Sequence, residues 1–146
     1  MTASETTSGS VAIPSSHRLL QQAGFLGHVG GIGVDETGSA IEVCLAPTAE
    51  HLNPNGTVHG GVLLTLLDFT LGVSAERALG GGSGRHPATI SLTTQFIGAA
   101  DGRSLLRGTA EVLRQTRSLS FMEGRITSGD RLVATAAAVF KNPPPN

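Results

Sequence analysis

The sequence predicts an α+β fold in which an antiparallel sheet of about six strands wraps one long apolar helix. Three observations carry this. Residues 62–79, VLLTLLDFTLGVSAERAL, contain no Pro and are apolar on most sides, the pattern of a helix buried over most of its surface. Everything downstream of Gly80-Gly81-Gly82-Ser83-Gly84 reads as β-like runs, at residues 87–98, 103–114, 117–128 and 131–141. Upstream, residues 29–34 and 40–46 are two Val/Ile-bearing runs on either side of one turn. A sheet closed around the helix satisfies burial for every one of these elements.

Residues 1–14 begin with the polar stretch MTASETTSGS and are expected to form a disordered tail; it lacks the basic and apolar regions of a signal peptide. Ser15 and Ser16 precede HRLLQQAGF, where Leu19, Leu20 and Ala23 suggest a short serine-capped helix ending near Gly24. Asp35-Glu36-Thr37-Gly38 is a good hairpin turn, so its flanks are expected to pair. A polar, turn-rich connection over residues 47–61 leads into the long helix, and the five-residue Gly/Ser loop ends it. In residues 87–98 the alternation puts Ala88, Ile90, Leu92, Thr94 and Phe96 on one face. The last four runs have short separators, including Gln115-Thr116 and Gly129-Asp130, and suggest an antiparallel meander. The Pro-rich residues 142–146 end the chain, so a single domain is expected over residues 15–141.

Composition narrows the function classes. Five Phe, no Trp and no Tyr leave Ala, Val, Leu and Ile to fill the core. A formal net charge of -1 gives no global pull toward nucleic acid or anionic membrane. No stretch reaches the roughly 20 apolar residues of a membrane span. The lone Cys44 excludes an intramolecular disulfide and suits a cytoplasmic location. The His residues at 17, 28, 51, 59 and 86 form no ligand-like spacing, so no metal site is expected. The glycine clusters lack the Lys-Ser/Thr of a phosphate-binding loop, and no Gly-x-Ser-x-Gly elbow is present.

One charge stands in the wrong place. Asp68 is the single formally charged residue between Glu50 and Glu76, and it sits in the most apolar helix, between Leu67 and Phe69. A carboxylate there needs a partner, which makes it either a structural hydrogen-bond acceptor or a chemical group. Nine residues upstream, His59-Gly60-Gly61 marks the predicted helix start. Backbone N–H groups at such a terminus lack intrahelical partners and suit an anion or a carbonyl oxygen gaining charge, although Gly-Gly is also an ordinary tight turn. Gly60 and Asp68 would lie roughly 12 Å apart at 1.5 Å per residue. Either two copies of the chain meet, or the pair is not one site.

The segment HLNPNGTVHGGVLLTLLDFTLG resembles the hallmark stretch of hotdog-fold acyl-CoA thioesterases of the phenylacetate-pathway (PaaI-like) group: an amide residue, Gly-x-x-His-Gly-Gly, then an acid on the central helix. Thr89-Ile90-Ser91-Leu92 with Phe96, RSLSFMEGRI and RLVATAAAVFK resemble the family's later strands, so the likeness covers roughly residues 25–141. The resemblance implies that Gly60, through its N–H, polarises a thioester carbonyl. Asp68 of a neighbouring subunit would act as nucleophile or general base. Asn53 would orient the water or the acyl group, and Thr89 would hold the attacking water. His59 would shape the turn or touch the sulfur, and Gly61 would line the substrate site beside Gly60. In relatives with Glu on the helix a Thr stands one turn later; here that position is Gly72, which favours the Asp arrangement. The implied assembly is a homodimer with a shared active site, or a homotetramer built as a dimer of dimers. No cofactor is implied beyond the coenzyme A of the acyl-CoA substrate. Arg114 and Arg117, flanking a predicted turn, are candidates for the phosphates of coenzyme A, or are a solvated rim. Two other readings keep the fold: an acyl-thioester hydratase or dehydratase, which usually places its His and acid differently, and a non-enzymatic acyl-CoA-sensing module.

Overall fold

The structure, a computed structural model, describes residues 10–21, 23–82 and 84–145. Most of the tail expected over residues 1–14 therefore lies outside the described residues. The strands β1 (Arg18–Leu19), β2 (Ile32–Asp35), β3 (Glu42–Leu45), β4 (Ala88–Phe96), β5 (Leu106–Gln115), β6 (Leu119–Ser128) and β7 (Arg131–Lys141) form one antiparallel sheet. Helix α1 (Phe25–Val29) is a single short turn region, and helix α2 (Gly60–Ala78) is the long central element. The order across the sheet is β1-β2-β3-β5-β6-β7-β4.

The long helix and the six expected strands are present, with no end moved by more than three residues. The helix expected at HRLLQQAGF is not. Arg18 and Leu19 instead pair with Val34 and Gly33, and the Leu20 N–H donates to the Ile32 carbonyl at 2.7 Å. Three apolar side chains within five residues supply no sustained helical stripe, so the sheet edge captures the segment. The buried His17 helps fix it, its Nε2 3.0 Å from the Glu42 carboxylate. The turn after β2 forms as its residues suggest. The Thr37 hydroxyl and N–H both donate to Asp35 and hold its carboxyl below the usual range.

Strands β5, β6 and β7 make the expected meander, but β4 does not join it as a sequential neighbour. It pairs with β7 and lies at the edge, while β5 pairs back to β3. The simple alternation read for β4 also fails. Its ladder runs Thr89 opposite Phe140, then Ser91 opposite Val139, so Ile90 is an extra residue in a β-bulge. Thr89 therefore shares the inward face with Leu92, and Ile90 is 58 % exposed.

The core lies between α2 and the concave face of the sheet. Leu63, Leu66, Leu67, Thr70, Leu71 and Ala75 are buried on one side of the helix. They meet Val43, Leu45, Leu106, Met122, Ile126 and Val133. Thr70 satisfies its hydroxyl on the Leu66 carbonyl at 2.6 Å and packs so closely on β5 that a Cβ at Gly108 would stand 2.5 Å from its Oγ1.

Candidate active site

The start of α2 is arranged by His59. It is the N-cap in extended conformation, and its ring Nδ1 accepts the Gly61 N–H at 2.8 Å. Its carbonyl accepts from Val62 and Leu63. Among the described residues no acceptor meets the Gly60 N–H, so one donor at the positive end of the helix dipole is left for a ligand. The Phe96 ring stands 3.5 Å from where a Cβ at Gly60 would be, closing one side of this donor. Of the two glycines read from the sequence, Gly61 has its N–H committed to His59 and Gly60 does not.

Asn53 is engaged locally. Its Oδ1 accepts the N–H groups of Asn55 and Thr57, and its Nδ2 donates to the Thr57 hydroxyl at 2.9 Å. These bonds shape the loop that delivers His59 to the helix start.

Asp68 is half-buried on the side of α2 that faces β4. The Thr89 hydroxyl donates to its Oδ1 at 2.7 Å, an arrangement that depends on the Ile90 bulge turning Thr89 inward. The two residues stand at one end of a cavity of about 190 Å³, lined also by Phe69, Gly72, Val73, Glu76, His86, Pro87 and Phe140. Gly72, the position where relatives with Glu carry Thr, leaves this space open: a Cβ there would be 3.6 Å from the Phe140 ring. The chemistry available is a carboxylate with one oxygen held by a hydroxyl, beside a small, largely apolar chamber. Gly60 and Asp68 are eight positions apart on one rigid helix, about 12 Å along its axis, so a single thioester carbon cannot touch both groups of one chain.

The two arginines part company. Arg117 lines a neighbouring cavity of about 240 Å³ with Glu76, Leu79, Gly81, Arg85 and Pro143, Pro144 and Pro145. Arg114 stands opposite Phe121, which stands opposite Val139, and so points to the face of the sheet away from α2. That outer face carries a depression of about 800 Å³, lined by Thr93, Gln95, Glu111, Glu123 and Arg125 among others, and it holds none of the residues singled out from the sequence. Cys44 is fully buried, and burial pushes its thiol up to about 11, so it is no nucleophile at neutral pH. No group of three or more His, Cys, Asp or Glu side chains among the described residues is placed to hold a metal ion.

Sequence reasoning missed the far end of the Asp68 cavity. There the His86 Nδ1–H donates to Glu76 Oε2 at 2.7 Å. The available signal was Glu76 itself, the next charge after Asp68 and two helical turns on; its partner comes from the loop before β4 and carries no local spacing.

Residues 55–135 match the family model described as the thioesterase superfamily. A Pseudomonas aeruginosa protein proposed to be an esterase is 35% identical over 107 residues, which cover 70% of this chain and 75% of that protein. A crystal structure from Ralstonia eutropha, a proposed thioesterase described as related to phenylacetic acid degradation, is 29% identical with a TM-score of 0.68, covering 76% of this chain and 84% of its own. A Bacillus halodurans protein crystallised with CoA is 28% identical with a TM-score of 0.63, covering 68% of each chain. The wrapped helix of this chain is the hotdog architecture.

Proposed function

Because the chain belongs to the thioesterase superfamily, we propose that it hydrolyses acyl-CoA thioesters to free acid and CoA, with Asp68 as the reacting carboxylate. The observation that carries this is the Asp68–Thr89 hydrogen bond beside a small cavity that Phe69, Val73, Pro87 and Phe140 also line. The CoA found with the Bacillus halodurans relative supports CoA as the thiol part of the substrate. CoA enters as substrate, and no resident cofactor is part of the proposal.

The thioester carbonyl oxygen docks on the Gly60 N–H, whose place at the helix terminus stabilises the charge that grows on that oxygen. Asp68 then takes a proton from water as the water oxygen bonds to the acyl carbon. Alternatively its free oxygen attacks that carbon to give a mixed anhydride that water opens. In either route the C–S bond breaks and the thiolate leaves with the electron pair; the Asp68 carboxyl or solvent protonates it in the water route, and solvent does so in the anhydride route. Thr89 holds Oδ1 and so orients the other oxygen, and in this proposal its hydroxyl oxygen accepts from the attacking water. Asn53 and His59 set the loop and the helix start, and Arg117 is better placed than Arg114 to meet a CoA phosphate.

The 12 Å between Gly60 and Asp68 calls for two copies. Strand β4 offers the contact: it is the sheet edge, and Ile90, Phe96 and Ile97 are each more than half exposed along it, with Leu64 of α2 alongside. A two-fold pairing of β4 with β4 sets the helices antiparallel, so Gly60 of one subunit faces Asp68 of the other. The proposed assembly is this homodimer, or a tetramer of two such dimers. No helix among the described residues is long and apolar enough to cross a membrane; a cytoplasmic site of action belongs to the proposal.

The test is hydrolysis of phenylacetyl-, benzoyl- and hexanoyl-CoA by wild type and Asp68→Ala, with thiol release followed chromogenically. The expected outcome is turnover of at least one ester by the wild type and a loss of about 100-fold or more in the variant. An equally active variant removes Asp68 from the chemistry. An inactive wild type that still binds CoA esters replaces the enzyme with an acyl-CoA-binding module.

A further inference from the structure

We propose that the Glu76–His86 pair is the end wall of the acyl cavity and sets the length of the acyl group that the site accepts. This rests on the acyl-thioester reading of Asp68 and goes beyond it to the substrate's size. Asp68 with Thr89 and Glu76 with His86 both line the cavity, and each pair is joined by a hydrogen bond. On the helix, Asp68, Gly72 and Glu76 follow one another at single turns, and Gly72, lacking a side chain, leaves open the stretch between the two carboxylates. Their Cα atoms stand about 12 Å apart at 1.5 Å per residue, before either side chain takes up part of that span. At about 190 Å³ the chamber falls below the roughly 300–1,000 Å³ of pockets that hold drug-sized ligands, so it suits a short chain or a single ring.

The space does not end for want of room. Glu76 also lines the neighbouring cavity of about 240 Å³, with Leu79, Arg85 and Arg117, so its side chain stands between two chambers. The Glu76 side chain is 21% exposed and His86 is 74% exposed, so the imidazole shields the carboxylate from the solvent side while holding it by the Nδ1–H. A methyl terminus pressed against this pair would strip water from a carboxylate and give nothing back. A chain that stops short of the pair meets only Phe69, Val73, Pro87 and Phe140. Length selection thus comes from a polar stop rather than from a packed apolar floor.

The experiment measures kcat/KM for straight-chain acyl-CoA esters from acetyl to dodecanoyl with wild type, Glu76→Ala, His86→Ala and Glu76→Gln. For the wild type, a sharp fall is expected once the chain reaches the wall, about tenfold or more for the first methylene that does not fit. Glu76→Ala joins the two chambers, and the fall moves to longer chains, raising the long-to-short ratio at least tenfold. His86→Ala moves it the same way by less, and Glu76→Gln, which keeps the size and the hydrogen-bond reach, keeps the wild-type order. Circular dichroism checks that each variant is folded; if Glu76→Ala is not, the His86→Ala profile decides. Unchanged length profiles in Glu76→Ala and His86→Ala, with an active wild type, overturn the end wall and leave the thioesterase reading standing. An enzyme inactive on every ester overturns the thioesterase reading instead. The same series is then read as dissociation constants by calorimetry, where a length order untouched by Glu76→Ala overturns the wall.

Discussion

The two sides of α2 make opposite use of one helix. On the closed side Leu63, Leu66, Leu67 and Leu71 are buried against β3, β5 and β6; Thr70 spends its hydroxyl on its own backbone, while the buried Ser74 hydroxyl meets no partner among the described residues. On the open side Leu64 is 38 % exposed, Asp68 borrows a hydroxyl from β4, and Gly72 leaves a hole. The closed side is packed with apolar side chains and carries no charge; the open side holds a carboxylate and borders a cavity. The lesson is that the packed core and the candidate site occupy different helix faces, so changes on one should read out separately from changes on the other.

The largest effect should come from the closed side. Leu66→Ala removes a fully buried side chain and is expected to cost about 2–5 kcal/mol in urea denaturation. A loss below about 1 kcal/mol would mean that this face is not the close-packed one. Asp68→Asn keeps the shape and drops the charge. Activity should fall about 100-fold or more, about 2.7 kcal/mol at 1.36 kcal/mol per decade, with the unfolding midpoint held or raised. Parallel losses of activity and stability would break the separation. A matched pair of glycines sharpens it. Gly108→Ala drives a Cβ to 2.5 Å from Thr70 and should cost about 1–3 kcal/mol. Gly72→Ala meets only ordinary contact with Phe140 and should stabilise the helix by about 0.5–1 kcal/mol while narrowing the cavity beside Asp68. Thr89→Val is expected to lower kcat by about tenfold, roughly 1.4 kcal/mol, with melting unchanged. Wild-type turnover in that variant would show that Asp68 needs no orienting donor.

The same division explains what could be read in advance. The long helix was legible because eighteen residues without Pro leave few alternatives, and the strands because each run was long enough to show its β character. Asp68 was legible as a charge among leucines. Its partner Thr89 came only from the family resemblance, since plain alternation put it on the wrong face and the bulge that corrects this depends on pairing with β7. The N-terminal segment misled because two adjacent leucines fit a helix or an edge strand equally well, and a tertiary contact, His17 with Glu42, decides. Glu76 and His86 lie ten residues apart across a glycine loop, and nothing in local spacing joins them.

The extra residue at Ile90 has a second consequence, for solubility. A long apolar edge strand invites unrelated strands to add to it, the route by which β-rich proteins coalesce. The bulge interrupts the regular ladder between Thr89 and Ser91, so only Ser91 to Phe96 offers an intruder an unbroken template. A strand adding along the edge past that stretch would meet the irregularity. The residue that aims Thr89 at the carboxylate thus also protects the edge from promiscuous association.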